Sequence, residues 1–116
     1  MDNSSTKNAC PFSGKEQAIQ NLGGMTWLYD KHLHKFKSIY ANSAAEIRSN
    51  LIQGNFKDAR LLVHSVKGLS GTLGLHRLYS ASSYLEKAII NSDSKLEELL
   101  SYYELCLNEV LASDKN

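Results

Sequence analysis

The chemistry in this chain gathers around one histidine within residues 55–73, NFKDARLLVHSVKGLSGTL. Wound as a helix at about 100° per residue, the run places Ala59, Leu62, Val63, Val66, Leu69 and Leu73 on one side, the expected core face. Lys57, Arg60, His64, Lys67, Gly68 and Gly71 fall opposite, with Leu61 at the margin. His64 is therefore expected to face solvent from mid-helix, with Arg60 and Lys67 one turn away on either side and Lys57 two turns back. A neutral imidazole is a nucleophile. Lys67 and Arg60 would stabilise negative charge arriving on it, and a phosphoryl group is the cargo that fits such a site. No Asp or Glu shares this helix face to orient the ring as in a hydrolytic triad, and no second His stands at metal-ligand spacing. The residues describe a place where a group is accepted and held, with no metal of its own.

Two glycines on that face contradict the helix that carries them. Each interior glycine costs about 1 kcal/mol relative to alanine. Gly68 lies one turn after His64 and Gly71 two turns after, so their missing side chains would leave that side of the imidazole open to a large partner. Gly74 needs no such reason, because ending a helix is sufficient. The run GLSGTLG is not a nucleotide-phosphate loop: such a loop follows a strand and carries its Lys after the glycines, whereas Lys67 precedes them here.

The elements that must hold this face are legible from apolar spacing. Residues 15–22 suit a short helix stopped by Gly23 and Gly24, and a longer one from Met25 carries Leu28, His32, Leu33, Phe36 and Tyr40. Ser43 with Glu46 has the capping-box form and opens a helix through Ala44, Ile47 and Leu51 to Gly54, unless the two segments make one long helix. Asn55 caps the histidine helix, which runs to Leu73. Residues 76–91 carry the stripe Leu78, Ala81, Leu85, Ala88 and Ile89. Ser94 with Glu97 repeats the capping box before Leu96, Leu99, Leu100, Tyr103, Leu107, Val110 and Leu111. No segment alternates with period two and there is no internal repeat. The expected fold is all-α, an antiparallel up-and-down four-helix bundle with a short N-terminal helical extension.

Bulk properties narrow the function classes. The 116 residues suit one domain, assigned to 15–116, after a tail or linker at 1–14 that includes the single proline, Pro11. A net charge of +1 argues against a nucleic-acid partner. Cys10 and Cys106 stand 96 residues apart without zinc or disulfide spacing, which suits a reducing compartment. No run reaches the roughly 20 apolar residues of a membrane span. A cytoplasmic monomer without membrane contact is the expectation.

The run His64-Ser65-Val66-Lys67-Gly68-Leu69-Ser70-Gly71-Thr72-Leu73-Gly74 resembles the signature of histidine-containing phosphotransfer (HPt) domains. Gly54-Asn55-Phe56 before it, and Leu78 with Leu85-Glu86 after it, are similar to that family's flanking turn and following helix, so the resemblance spans about residues 15–112. It implies that His64 is the phosphorylated residue, that Lys67 steadies the phosphoryl oxygens and that Gly68 gives clearance. It further implies a phosphoryl carrier without kinase activity, shuttling between aspartates of response-regulator receiver domains in multistep phosphorelays. The receiver would supply the Mg2+ and dock against Lys57, Arg60, Leu61 and Gly71, with exposed apolar side chains of residues 25–40. Ser65, His76 and Arg77 depart locally from the pattern and bear on partner choice. The linker-like start, and an end just beyond the last helix, favour the C-terminal part of a hybrid sensor histidine kinase, itself membrane-bound, over a free-standing protein. The alternative is a helical module that docks a receiver without being phosphorylated.

Overall fold

Every regular element among the described residues, 11–113 of the computed structural model, is helical. In chain order they are α1 (Lys15–Asn21), α2 (Thr26–Tyr40), α3 (Ser43–Ile52), α4 (Phe56–Thr72), α5 (His76–Asn91) and α6 (Leu96–Ala112). Residues 1–10 of the expected tail, Cys10 included, lie outside the described residues.

Only Ala41 and Asn42 separate α2 from α3. Ala41 keeps helical dihedrals (φ −55°, ψ −36°) and Asn42 departs modestly from them (φ −102°, ψ 15°), so the two helices form a nearly continuous rod. The expected capping box at its joint does not form. Ser43 lies inside α3, and its buried hydroxyl shares a 2.7 Å hydrogen bond with the Tyr103 phenol of α6. Buried hydroxyls favour a partner, and here the tertiary one displaces the local one. Ser94 does not cap α6 either: Lys95 takes the cap position, and the Asp93 carboxylate accepts its amide at 2.9 Å. Asn55 does occupy the cap position of α4, although its side chain makes no capping bond.

The core face of α4 is Ala59, Val63, Val66, Ser70 and, just past its end, Leu73, all buried. Leu69, expected there, is instead 39% exposed. On the helical wheel Ser70 lies only about 20° from Ala59 and Leu69 about 80° away, so the interior takes the small residue and turns the larger one out. Small side chains let α4 approach α5, its most extensive neighbour; α5 packs in turn on α6, and α3 contacts both α4 and α6. Ile47, Val63, Val66, Leu78, Leu85 and Leu107 fill the space between them, each 1% exposed or less. Arg48 pairs with Glu97 at 2.9 Å, tying α3 to α6, and Arg77 pairs with Glu109 at 3.1 Å, tying α5 to α6.

The end of α4 is held from the N-terminal side of the chain. Gly74 turns the backbone with φ +71°, and its carbonyl accepts the Gly14 amide at 2.8 Å. A Cβ on either glycine would collide with the backbone of the other. The Ser13 hydroxyl meets His76 Nδ1 at 2.9 Å, and Phe12 packs on the core. Residues 12–14, expected in the tail, are therefore part of the packed structure. Tyr29, absent from the expected stripe of α2, is fully buried and donates its hydroxyl to the Leu73 carbonyl at 2.7 Å, satisfying one of the acceptors that a helix end leaves open.

Candidate functional site

His64 stands in the middle of α4 with 63% of its side chain exposed. Nothing within 4 Å would meet a Cβ added at Gly68, so the helix surface one turn beyond the imidazole is open. Both features agree with the face derived from sequence.

The expected lack of a carboxylate does not extend to the folded site. None lies on the same face of α4, but Glu86 of α5 places Oε2 3.0 Å from His64 Nδ1. Its other oxygen, Oε1, accepts from Lys67 Nζ at 3.5 Å. A carboxylate can only accept hydrogen bonds, so in the neutral ring Nδ1 carries the proton in this pair and Nε2 keeps the lone pair. The Glu86 side chain is 12% exposed, held low between the helices while the imidazole projects above it. Sequence offered one signal for this role: Glu86 is the sole acid in α5 and directly follows Leu85 of the buried stripe.

Gly71 differs from Gly68. A Cβ there would come within 3.3 Å of the Tyr79 ring, which occupies the space that the sequence reading left free. The same ring lies under the Lys67 ammonium, 5.9 Å from Nζ to centroid. Sequence gives no sign of this role for Tyr79, since an aromatic at the start of α5 carries no signal of a contact on α4.

Lys57 and Arg60 sit with Phe56, Ile89 and Ile90 around a shallow depression toward the N-terminal end of α4. Neither makes an ion pair among the described residues, so their charge is open to a partner. Leu61 is 45% exposed beside them. On the other flank, Leu69 and Thr72 of α4 face His32, Lys35 and Ile39 of α2, with Leu22, across a mainly apolar cleft of about 320 Å³. Of the exposed apolar side chains in residues 25–40, Ile39 lines this cleft, while Met25 and Trp27 are exposed outside its lining. No group of three or more His, Cys, Asp or Glu among the described residues could hold a metal ion. Cys106 is a buried free thiol whose pKa burial pushes up, which keeps it protonated and unreactive.

The described residues thus form an all-helical array with one carboxylate-paired histidine exposed on an open helix face. Residues 32–113, well over half of the chain, match the Hpt domain family, and the chain belongs to it. Hpt domains are phosphohistidine carriers of two-component signalling that interact with receiver domains. No curated protein and no solved structure gives a significant match. No helix among the described residues is long and apolar enough to cross a membrane.

Proposed function

We propose that this protein is a phosphorelay intermediate. His64 Nε2 attacks the phosphorus of a phospho-aspartate on one receiver domain; the N–P bond forms as the acyl O–P bond breaks, and the aspartate leaves as carboxylate. A second receiver's aspartate then takes the phosphoryl group by the reverse exchange. The observation that carries this reading is the pairing of His64 Nδ1 with Glu86, which leaves Nε2 as the nucleophile on an exposed imidazole. Lys67 swings from Glu86 to the phosphoryl oxygens, and Gly68 lets the receiver close over the ring. Mg2+ comes from the receiver. The docking face comprises Lys57, Arg60 and Leu61 with the α2–α4 cleft, and Gly71 contributes through the ring seated on it.

The same reading takes the α2–α3 rod with α4, α5 and α6 as an antiparallel up-and-down four-helix bundle, supported by the cyclic order of their contacts. It takes the domain to be a cytoplasmic monomer without kinase activity of its own.

The test is incubation with a phosphorylated receiver, following acid-labile, base-stable phosphate. The parent protein is expected to take label and His64→Gln none. Labelling of His64→Gln as strong as the parent's sinks the assignment, and absence of label on the parent leaves the docking module as the function. Lys67→Ala is expected to accept label about tenfold more slowly, since a charge-assisted hydrogen bond is lost while the bonding atom remains.

A further inference from the structure

Lys67 does not hang free beside His64. Its side chain is 28% exposed, its Nζ lies 3.5 Å from Glu86 Oε1, and the Tyr79 ring stands 5.9 Å away, within cation–π reach. Tyr79 belongs to the first turn of α5, and its ring lies back across α4 onto Gly71, one turn beyond Lys67. With a Cβ at residue 71 only 3.3 Å from ring carbons Cδ1 and Cε1, the ring would have to move outward. The glycine therefore sets the depth at which the aromatic face sits under the ammonium.

We propose that Tyr79, seated on Gly71, is a positioning residue for Lys67. The inference rests on the reading that Lys67 steadies the phosphoryl oxygens. A lysine has four side-chain torsions to order, and ordering them during transfer adds to the barrier. The ring and the Glu86 carboxylate order them beforehand. The two supports differ in kind: the carboxylate competes with an arriving phosphoryl group for the ammonium, whereas the neutral ring restrains the stem without holding the charge. The Tyr79 hydroxyl has no part in this, so phenylalanine is expected to serve as well.

The experiment measures His64 phosphorylation by phosphoramidate, a small donor that needs no docking surface, in Tyr79→Leu and Tyr79→Phe, each with Lys67 intact and with Lys67→Ala. Tyr79→Leu is expected to slow the reaction about two- to fivefold, the scale of one partly exposed cation–π contact. Tyr79→Phe is expected to match the parent, and Tyr79→Leu to have no further effect once Lys67 is alanine. In the free protein, the Lys67 Hε resonances are expected to show a ring-current shift that Tyr79→Phe keeps and Tyr79→Leu loses. Equal slowing by Tyr79→Leu in the Lys67→Ala background, or Hε resonances unmoved by Tyr79→Leu, overturns the proposal. Label on His64→Gln would instead overturn the functional reading, and the ring-current shift tests the placement of Lys67 in either case.

Discussion

His64 and Glu86, on adjacent helices, are joined by a 3.0 Å hydrogen bond from Nδ1 to Oε2 that assigns the two imidazole nitrogens different tasks. One is tethered to the bundle and, in the proposed transfer, the other meets the phosphoryl group. Nitrogen-15 spectra of the neutral ring are expected to show the Nδ1–H tautomer in the parent and a mixture in Glu86→Ala. Transfer to Glu86→Ala is expected to fall about tenfold, for a lost interaction of roughly 1–2 kcal/mol, and Glu86→Gln, whose amide oxygen still accepts, to fall less. A parent ring protonated mainly at Nε2 would show the tether to be misassigned.

Gly68 and Gly71 should part company when substituted. Gly68→Ala meets nothing, so removing the entropy cost of the glycine is expected to stabilise the protein by about 0.5–1 kcal/mol, a rise of several degrees in Tm. Gly71→Ala must displace the Tyr79 ring and is expected to forfeit most of that gain. Gly68→Gln is expected to keep full helicity while slowing transfer from a receiver. Thermal melts and transfer rates of the three variants check this, and an equal rise in Tm for both alanine variants contradicts it.

Alkali should weaken the fold through Tyr29. Burial, with the neighbouring Asp30, holds its phenol protonated, its pKa pushed up to about 12 from an ordinary 10.0. Between those values the unfolded chain has lost a proton that the native state keeps, so stability present below pH 10 falls as pH rises through the window. The full loss is on the order of 2 kcal/mol. Burial raises the Tyr103 hydroxyl in the same direction. Denaturant melts of Tyr29→Phe are expected to show about 1 kcal/mol less stability at neutral pH, because the Leu73 carbonyl loses its donor, and a shallower alkaline decline. A decline as steep as the parent's assigns the effect elsewhere.

What could be read from sequence divides by the range of the interactions involved. The helices, and the exposure of His64 opposite Ala59, Val63 and Val66, follow from spacing along one segment. Ser43 and Leu69 depart from the places their sequence neighbours predict because distant contacts decide them, whereas Ser94 loses the cap to a local bond from the Lys95 amide to Asp93. Ser43 meets Tyr103 across 60 residues, and Leu69 yields to Ser70 where α5 crosses closely. Glu86 and Tyr79 reach the site from another helix, 22 and 15 residues beyond His64. Nothing in the local pattern of α4 could announce them, although a single acid beside an apolar stripe was a usable sign.

The clasp at the end of α4 bears on where the folding unit begins. The family match starts at His32, yet Tyr29, which caps Leu73, and Gly14, which closes on Gly74, both precede it. A fragment trimmed to the recognisable segment would keep the histidine, Lys67, Glu86 and the glycines, and would still lose a fully buried aromatic and two backbone-level fastenings beneath them. The minimal autonomous piece of this protein is therefore longer than its signature and takes in at least Phe12 and Gly14.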